Sequence, residues 1–114
     1  MKRAFLAAAI LLAGCSPQGS GVRAIVGAKL NPGQGRPVIE YSVIVVADGK
    51  VQAMGPQATT PVPKGAQITQ GLGRVIDPAP RTSTIETGRS ADLVIRNATT
   101  GQPEAVMMAG EWIK

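Results

Sequence analysis

The sequence predicts an all-β fold, either a small β-sandwich or a partly closed barrel. Three observations carry that prediction. The chain of 114 residues holds fourteen glycines and nine prolines, spread so that no stretch beyond residue 21 sustains a helical period. The apolar runs between them are short and rich in Val and Ile, residues that suit a pleated, half-buried surface. Finally, Asp48-Gly49 lies between two such runs, the sequence signal for a two-residue hairpin with positive φ at both positions.

The elements follow in order. Val22–Leu30 reads as one strand, ended by the turn residues Asn31-Pro32-Gly33. Pro37–Ala47 is the strongest strand candidate. Its first half alternates through Glu40 and Ser42, and its second half is continuously apolar, as expected where both faces are covered. Lys50–Met54 pairs back across Asp48-Gly49, Gly55-Pro56 ends that strand, and Thr59–Gly65 is a loop. Ala66–Gln70 and Gly73–Ile76 are two short strands around a Gly71/Gly73 turn. Ala91–Arg96 and Ala105–Ala109 form a further pair, and Ala109-Gly110-Glu111 turns the chain into Trp112-Ile113-Lys114.

Residues 1–14 have a different composition. Lys2 and Arg3 precede the uncharged apolar run Ala4–Leu12, the charged and hydrophobic regions of a secretory signal, too short for a permanent membrane span. Leu12-Ala13-Gly14-Cys15 resembles the lipobox of bacterial lipoproteins. The resemblance implies cleavage after Gly14, a diacylglyceryl thioether on Cys15 and acylation of the new amino terminus. Several acyl chains at about 0.8 kcal/mol per buried methylene would hold the protein firmly at a membrane. The expected organisation is a signal peptide over 1–14, a flexible tether over 15–21 and a β-domain over 22–114. Ser16 is not the acidic residue that retains many lipoproteins at the inner membrane, so the resemblance implies an outer-membrane anchor facing the periplasm.

Composition narrows the chemistry. The chain has no histidine and one cysteine, which removes the commonest general base, the commonest metal ligand, any intrachain disulfide and any cysteine-rich zinc site. Beyond residue 14, ten basic residues stand against seven acidic ones, a net +3. The basic residues are dispersed from Arg23 to Lys114, so no nucleic-acid footprint is expected. Tyr41 and Trp112 are the aromatics left after the leader, and the core must be aliphatic.

Several segments together resemble the accessory, composite β-domain of metal-dependent amidohydrolases. They are Ala24–Leu30, Ile39–Val45 and Asp48–Gly55, then Pro63–Ala66 and Gly73–Pro78, then Gly88–Ile95 and Val106–Ile113. In that family a catalytic (β/α)₈ barrel of about 250 residues is inserted between the two halves of the β-domain. Here Ala79–Thr87 alone stands between Pro78 and Gly88, and the metal-binding histidine pair expected past Pro78 is missing. The resemblance therefore implies the accessory fold and argues against the activity. No catalytic residue, metal ligand or cofactor carries over.

The remaining candidates weigh as structural. Asp77 reads as a turn residue. Glu86, Asp92, Glu104 and Glu111 stand singly, and Thr59-Thr60 and Thr82-Ser83-Thr84 have no visible activating base. Gly33-Gln34-Gly35 and Gly71-Leu72-Gly73 lack the following helix of a phosphate loop. Asn97-Ala98-Thr99 is a glycosylation sequon by pattern only, and Met107-Met108 with Trp112 are expected to fill the core. With no barrel to cover it, Val43–Ala47 is expected to offer an exposed apolar patch or a self-association surface. The functional expectation is a non-catalytic, lipid-anchored envelope domain that binds a protein partner or another copy of itself. The alternatives are a component of an enzyme acting on carbon–nitrogen bonds whose barrel is another chain, and a small-ligand carrier.

Overall fold

A computed structural model describes residues 21–113. The expected signal peptide, the lipidation site Cys15 and all of the tether but Gly21 lie outside the described residues. Nine strands form two mixed sheets, and the described residues contain no helix. The first sheet has the order β4 (Lys50–Pro56), β3 (Ser42–Ala47), β1 (Arg23–Val26), β5 (Gln67–Gln70). The second runs β2 (Lys29–Leu30), β6 (Arg74–Pro78), β7 (Leu93–Asn97), β8 (Pro103–Met108), β9 (Glu111–Trp112). β1 pairs with β5 and β2 with β6 in parallel, and every other pairing is antiparallel.

Both sheets contribute to one core. Ile25, Ile44, Val46 and Val51 from the first sheet meet Leu30, Ile76, Leu93, Ile95 and Met107 from the second. Fully burying each such side chain is worth about 1.5–3 kcal/mol, enough to compensate for the scarcity of aromatics. Met107 and the half-buried Trp112 join this cluster as expected, whereas Met108 lies outside it and is 38% exposed.

Two of the expected strands are divided by the fold. Val22–Leu30 is two strands in different sheets, because the chain turns at Gly27, whose φ is +95°, and crosses over at Ala28. The Pro37–Ala47 strand starts only at Ser42. Tyr41 has φ +47° and breaks the extended backbone, leaving Ile39 to make one isolated bridge to Leu30. The two breaks hold each other. The Ser42 amide and hydroxyl both donate to the Ala28 carbonyl, at 2.9 and 2.7 Å, and the Gly27 amide donates to the Ser42 carbonyl at 2.7 Å.

The strands at 67–70 and 74–78 are likewise not hairpin partners, since β5 lies in the first sheet and β6 in the second. This second crossover packs on the first. A Cβ on Gly71 would meet the Ala28 Cβ at 2.7 Å and its amide nitrogen at 3.0 Å, so only glycine fits.

The hairpin at Asp48-Gly49 forms as predicted, with φ of +55° and +77° and the register Ala47↔Lys50. The next strand ends at Gly55-Pro56 as expected, with both residues included in it. Ala109 and Gly110 build a second hairpin tip of the same kind, with φ of +50° and +80°. The tips touch, and Ala91 stitches them: its amide donates to the Gly49 carbonyl at 2.9 Å, and its carbonyl accepts from Gly110 at 3.1 Å.

The expected apolar patch at Val43–Ala47 is absent, because Val43 to Val46 are all buried. Ile44 and Val46 face the main core. Val43 and Val45 face the other way and join Val22 in a second, smaller cluster. Val62 and Ala66, from the 57–66 connection, pack on that cluster. The chain covers its own outer face.

Candidate functional site

Three places gather side chains that could act on something outside the chain. The first is the segment 79–92 that joins β6 to β7. It is anchored rather than loose. Ile85 is buried in the main core, and its amide donates to the Pro32 carbonyl at 2.9 Å. The buried Thr84 hydroxyl donates to Glu86 Oε2 at 2.7 Å, and Arg36 and Arg89 flank that carboxylate at 3.4 and 3.5 Å. The Thr84 hydrogen bond, aided by the two guanidinium groups and opposed by partial desolvation, holds the Glu86 carboxyl below the usual glutamate value. A hydroxyl beside a carboxylate suggests an activated nucleophile. Here, though, the hydroxyl is enclosed and the carboxylate is a weaker base than free glutamate, so the pair fastens the segment. An open cleft of about 440 Å³ over this segment is lined by Arg81, Ser83, Arg89 and Ser90.

Four other carboxylates are also committed to hydrogen bonds or ion pairs within the domain. Asp77 is no turn residue. It sits within β6, where its two oxygens accept from Asn31 Nδ2 at 3.0 Å and Arg96 Nε at 3.2 Å. Asp92 accepts from the Ser90 hydroxyl at 2.9 Å and the Ala109 amide at 2.7 Å. Glu104 takes hydrogen bonds from Arg74 and Asn97, which hold its carboxyl below the usual glutamate value. Glu111 pairs with Arg23 at 3.4 Å. Asn97 of the sequon accepts the amides of Thr99 and Thr100, closing the β7–β8 loop. Among the described residues no three His, Cys, Asp or Glu side chains gather as a metal site would require.

The second place is the carboxyl end of β1. Tyr41 is 61% exposed and Leu72 63% exposed, and both line a pocket of about 170 Å³ beside the Lys29–Glu40 ion pair and Arg74. A positive φ on a tyrosine costs on the order of 1–3 kcal/mol. The Ser42 bonds above and a 2.8 Å bond from the Gln57 amide to the Tyr41 carbonyl hold it there. The effect is to turn an aromatic ring outward at the rim of the first sheet.

The third place is the edge strand β5. Gln67 and Gly71 donate their amides inward, to Val22 at 2.9 Å and Val26 at 2.7 Å. In a parallel ladder that spacing turns the amides and carbonyls of Ile68 and Gln70 away from β1. Among the described residues nothing pairs with that outer side. The Ile68 side chain is 56% exposed. Sequence reasoning found the strand but not its openness. The available signal was a run of nine residues, Gly65–Gly73, without a single charge.

No family model matches the chain, and no curated protein does. Among solved structures, the chain is similar to part of the crystal structure of a provisionally assigned prolidase from Bifidobacterium longum, at 23% identity and a TM-score of 0.47. The likeness covers 51% of this chain and 15% of that one, so the chain spans a small fraction of that protein's length.

Proposed function

We propose that this chain is a lipid-anchored, non-catalytic β-domain of the bacterial envelope that works by binding protein, a relative of the amidohydrolase accessory domain without its barrel. The observation that carries the reading is the join at 79–92. Where the resemblance places a barrel insertion, the chain has a short segment folded back on the domain, its Ile85 in the core and its Glu86 tied by Thr84, Arg36 and Arg89. Both halves of the β-domain are thereby closed on one another, with surfaces at β5 and Tyr41 left for contact. A carrier function is less well supported, because the space between the sheets is filled by Ile, Leu, Val and Met side chains. The lipid anchor rests on Leu12-Ala13-Gly14-Cys15.

The test uses the full chain and Cys15→Ala, expressed in a bacterium fed labelled palmitate. The expected result is label and membrane retention for the unaltered chain, and loss of both for the variant. An unlabelled or fully soluble unaltered chain overturns the anchor. Stoichiometric zinc in the purified protein overturns the non-catalytic reading.

A further inference from the structure

The four sheet edges are treated unequally. On β4, Val51 exchanges hydrogen bonds with the joining segment, accepting from Gly88 and donating to Arg89, both at 2.8 Å. β2 is capped by Ile39, whose amide and carbonyl bond Leu30 at 2.9 and 2.8 Å. β9 is two residues long and carries Glu111. Short length, charge and cover are the devices that keep sheet edges from pairing with other chains. β5, four residues long, lacks charge and cover: it and its flanks from Gly65 to Gly73 hold no charge and no proline, and its outward groups are open among the described residues.

We propose that β5 is the site of self-association, pairing antiparallel with β5 of a second copy. The proposal deepens the binding function above and rests on it. The absence of charge along Gly65–Gly73 favours a second copy as the occupant, and the outward groups fix the register. Outward-facing groups occur at Ile68 and Gln70, one residue apart on either side of Thr69. Placed antiparallel on its own copy, the strand sets Ile68 opposite Gln70 twice and Thr69 opposite Thr69 on the two-fold axis. All four outward amides then find carbonyls. The two first sheets join into one of eight strands, in the order β4-β3-β1-β5 followed by the partner's strands in reverse. A net positive domain repels its copy over most of its surface, but the uncharged Gly65–Gly73 run removes that penalty at the contact. Ile68 adds apolar area beside the axis. One strand pair buries less than the roughly 1,200 Å² of a standard interface, so the dimer is weak in dilute solution. Confinement of anchored copies to a membrane raises their effective concentration and favours the pairing.

The register makes the proposal testable by disulfide mapping in membranes. Thr69 facing Thr69 is a non-hydrogen-bonded pair with Cα atoms about 4.5 Å apart, within disulfide range. Full-length chain carrying Thr69→Cys is expected to form a covalent homodimer on mild oxidation. The unaltered chain, which controls for Cys15, is not, and Ile68→Cys and Gln70→Cys are expected to give at least tenfold less homodimer than Thr69→Cys. Adding Gln70→Pro to Thr69→Cys deletes an outward amide and is expected to cut the crosslink tenfold or more. Adding Ile68→Lys, at an exposed side chain, is expected to do the same without touching the ladder to β1. Equal crosslinking at positions 68, 69 and 70, no crosslink at 69, or a crosslink indifferent to Ile68→Lys overturns the proposal. So does a crosslink from position 69 to an unlike protein in place of the homodimer. Membrane retention with no homodimer overturns the dimer alone, while a homodimer in a chain that fails to reach the membrane overturns the anchor alone.

Discussion

The two sheets solve the same problem in opposite ways. The first is apolar on both faces at β3, where Ser42 to Val46 are all buried, and it hides its outer face under the 57–66 connection. The second turns Leu93 and Ile95 to the core, buries Val94 on its other face, and cross-links its strands with charge: Asp77 of β6 with Arg96 of β7, and Arg74 of β6 with Glu104 of β8. Covering an apolar face with a loop protects side chains but does nothing for backbone groups at the sheet edge. Thus the first sheet, better buried in its centre, is the one left with an open strand at its margin. Charge pairs, by contrast, make a surface that tolerates water and repels pairing.

The difference can be broken experimentally. The largest effect is expected from paired truncations on β3, read by urea denaturation. Ile44→Ala, in the main core, should cost about 2–5 kcal/mol. Val45→Ala, on the covered outer face, should cost about 1.5–3 kcal/mol. A Val45→Ala cost near zero would mean that the 57–66 connection does not seal that face. Next comes Gly71→Ala, which pushes a methyl onto Ala28 where the two crossovers pack. A loss of about 1–3 kcal/mol is expected, and a neutral result would show that the crossovers separate easily. The smallest effect concerns pH. Glu86 and Glu104 have folded carboxyl values below the ordinary 4.5, so the unfolded chain binds their protons more readily. Their stabilisation is present above about 4.5 and is lost as pH falls below it through the depressed folded values. In thermal melts the acid-side loss should shrink in Glu86→Gln and Glu104→Gln, modestly because both groups are partly exposed.

How much was legible in the sequence varies with the range of the interaction responsible. Asp48-Gly49 was decisive because a type I′ turn is a local demand for two positive φ values. The β7–β8 pair was legible for a similar reason, as neighbours along the chain. The run Val43–Val46 announced burial on both faces, and the structure agrees. The expectation that removal of a barrel would expose it failed because Val62 and Ala66 close over it. Asp77 looked like a turn residue because it stands at the edge of its strand pattern with no companion ligands near it in sequence. Its role depends on Asn31 and Arg96, 46 and 19 residues away.

From its own residue pattern the sequence determined that the chain would be β, that a two-residue hairpin would fall at Asp48-Gly49 and that its core would be aliphatic, since those follow from steric and hydrophobic preferences acting within a few residues. It also carried, in Leu12-Ala13-Gly14-Cys15, the motif on which the anchoring proposal rests. Which sheet each strand joins was decided only by tertiary structure. The breaks at Gly27 and Tyr41 are stabilised by Ala28 and Ser42 bonding across 14 residues, and Gly71 matters only because Ala28 lies against it. The open edge of β5 belongs to the same class of fact. An unpaired strand is a statement about every other strand's position, and no local preference encodes it.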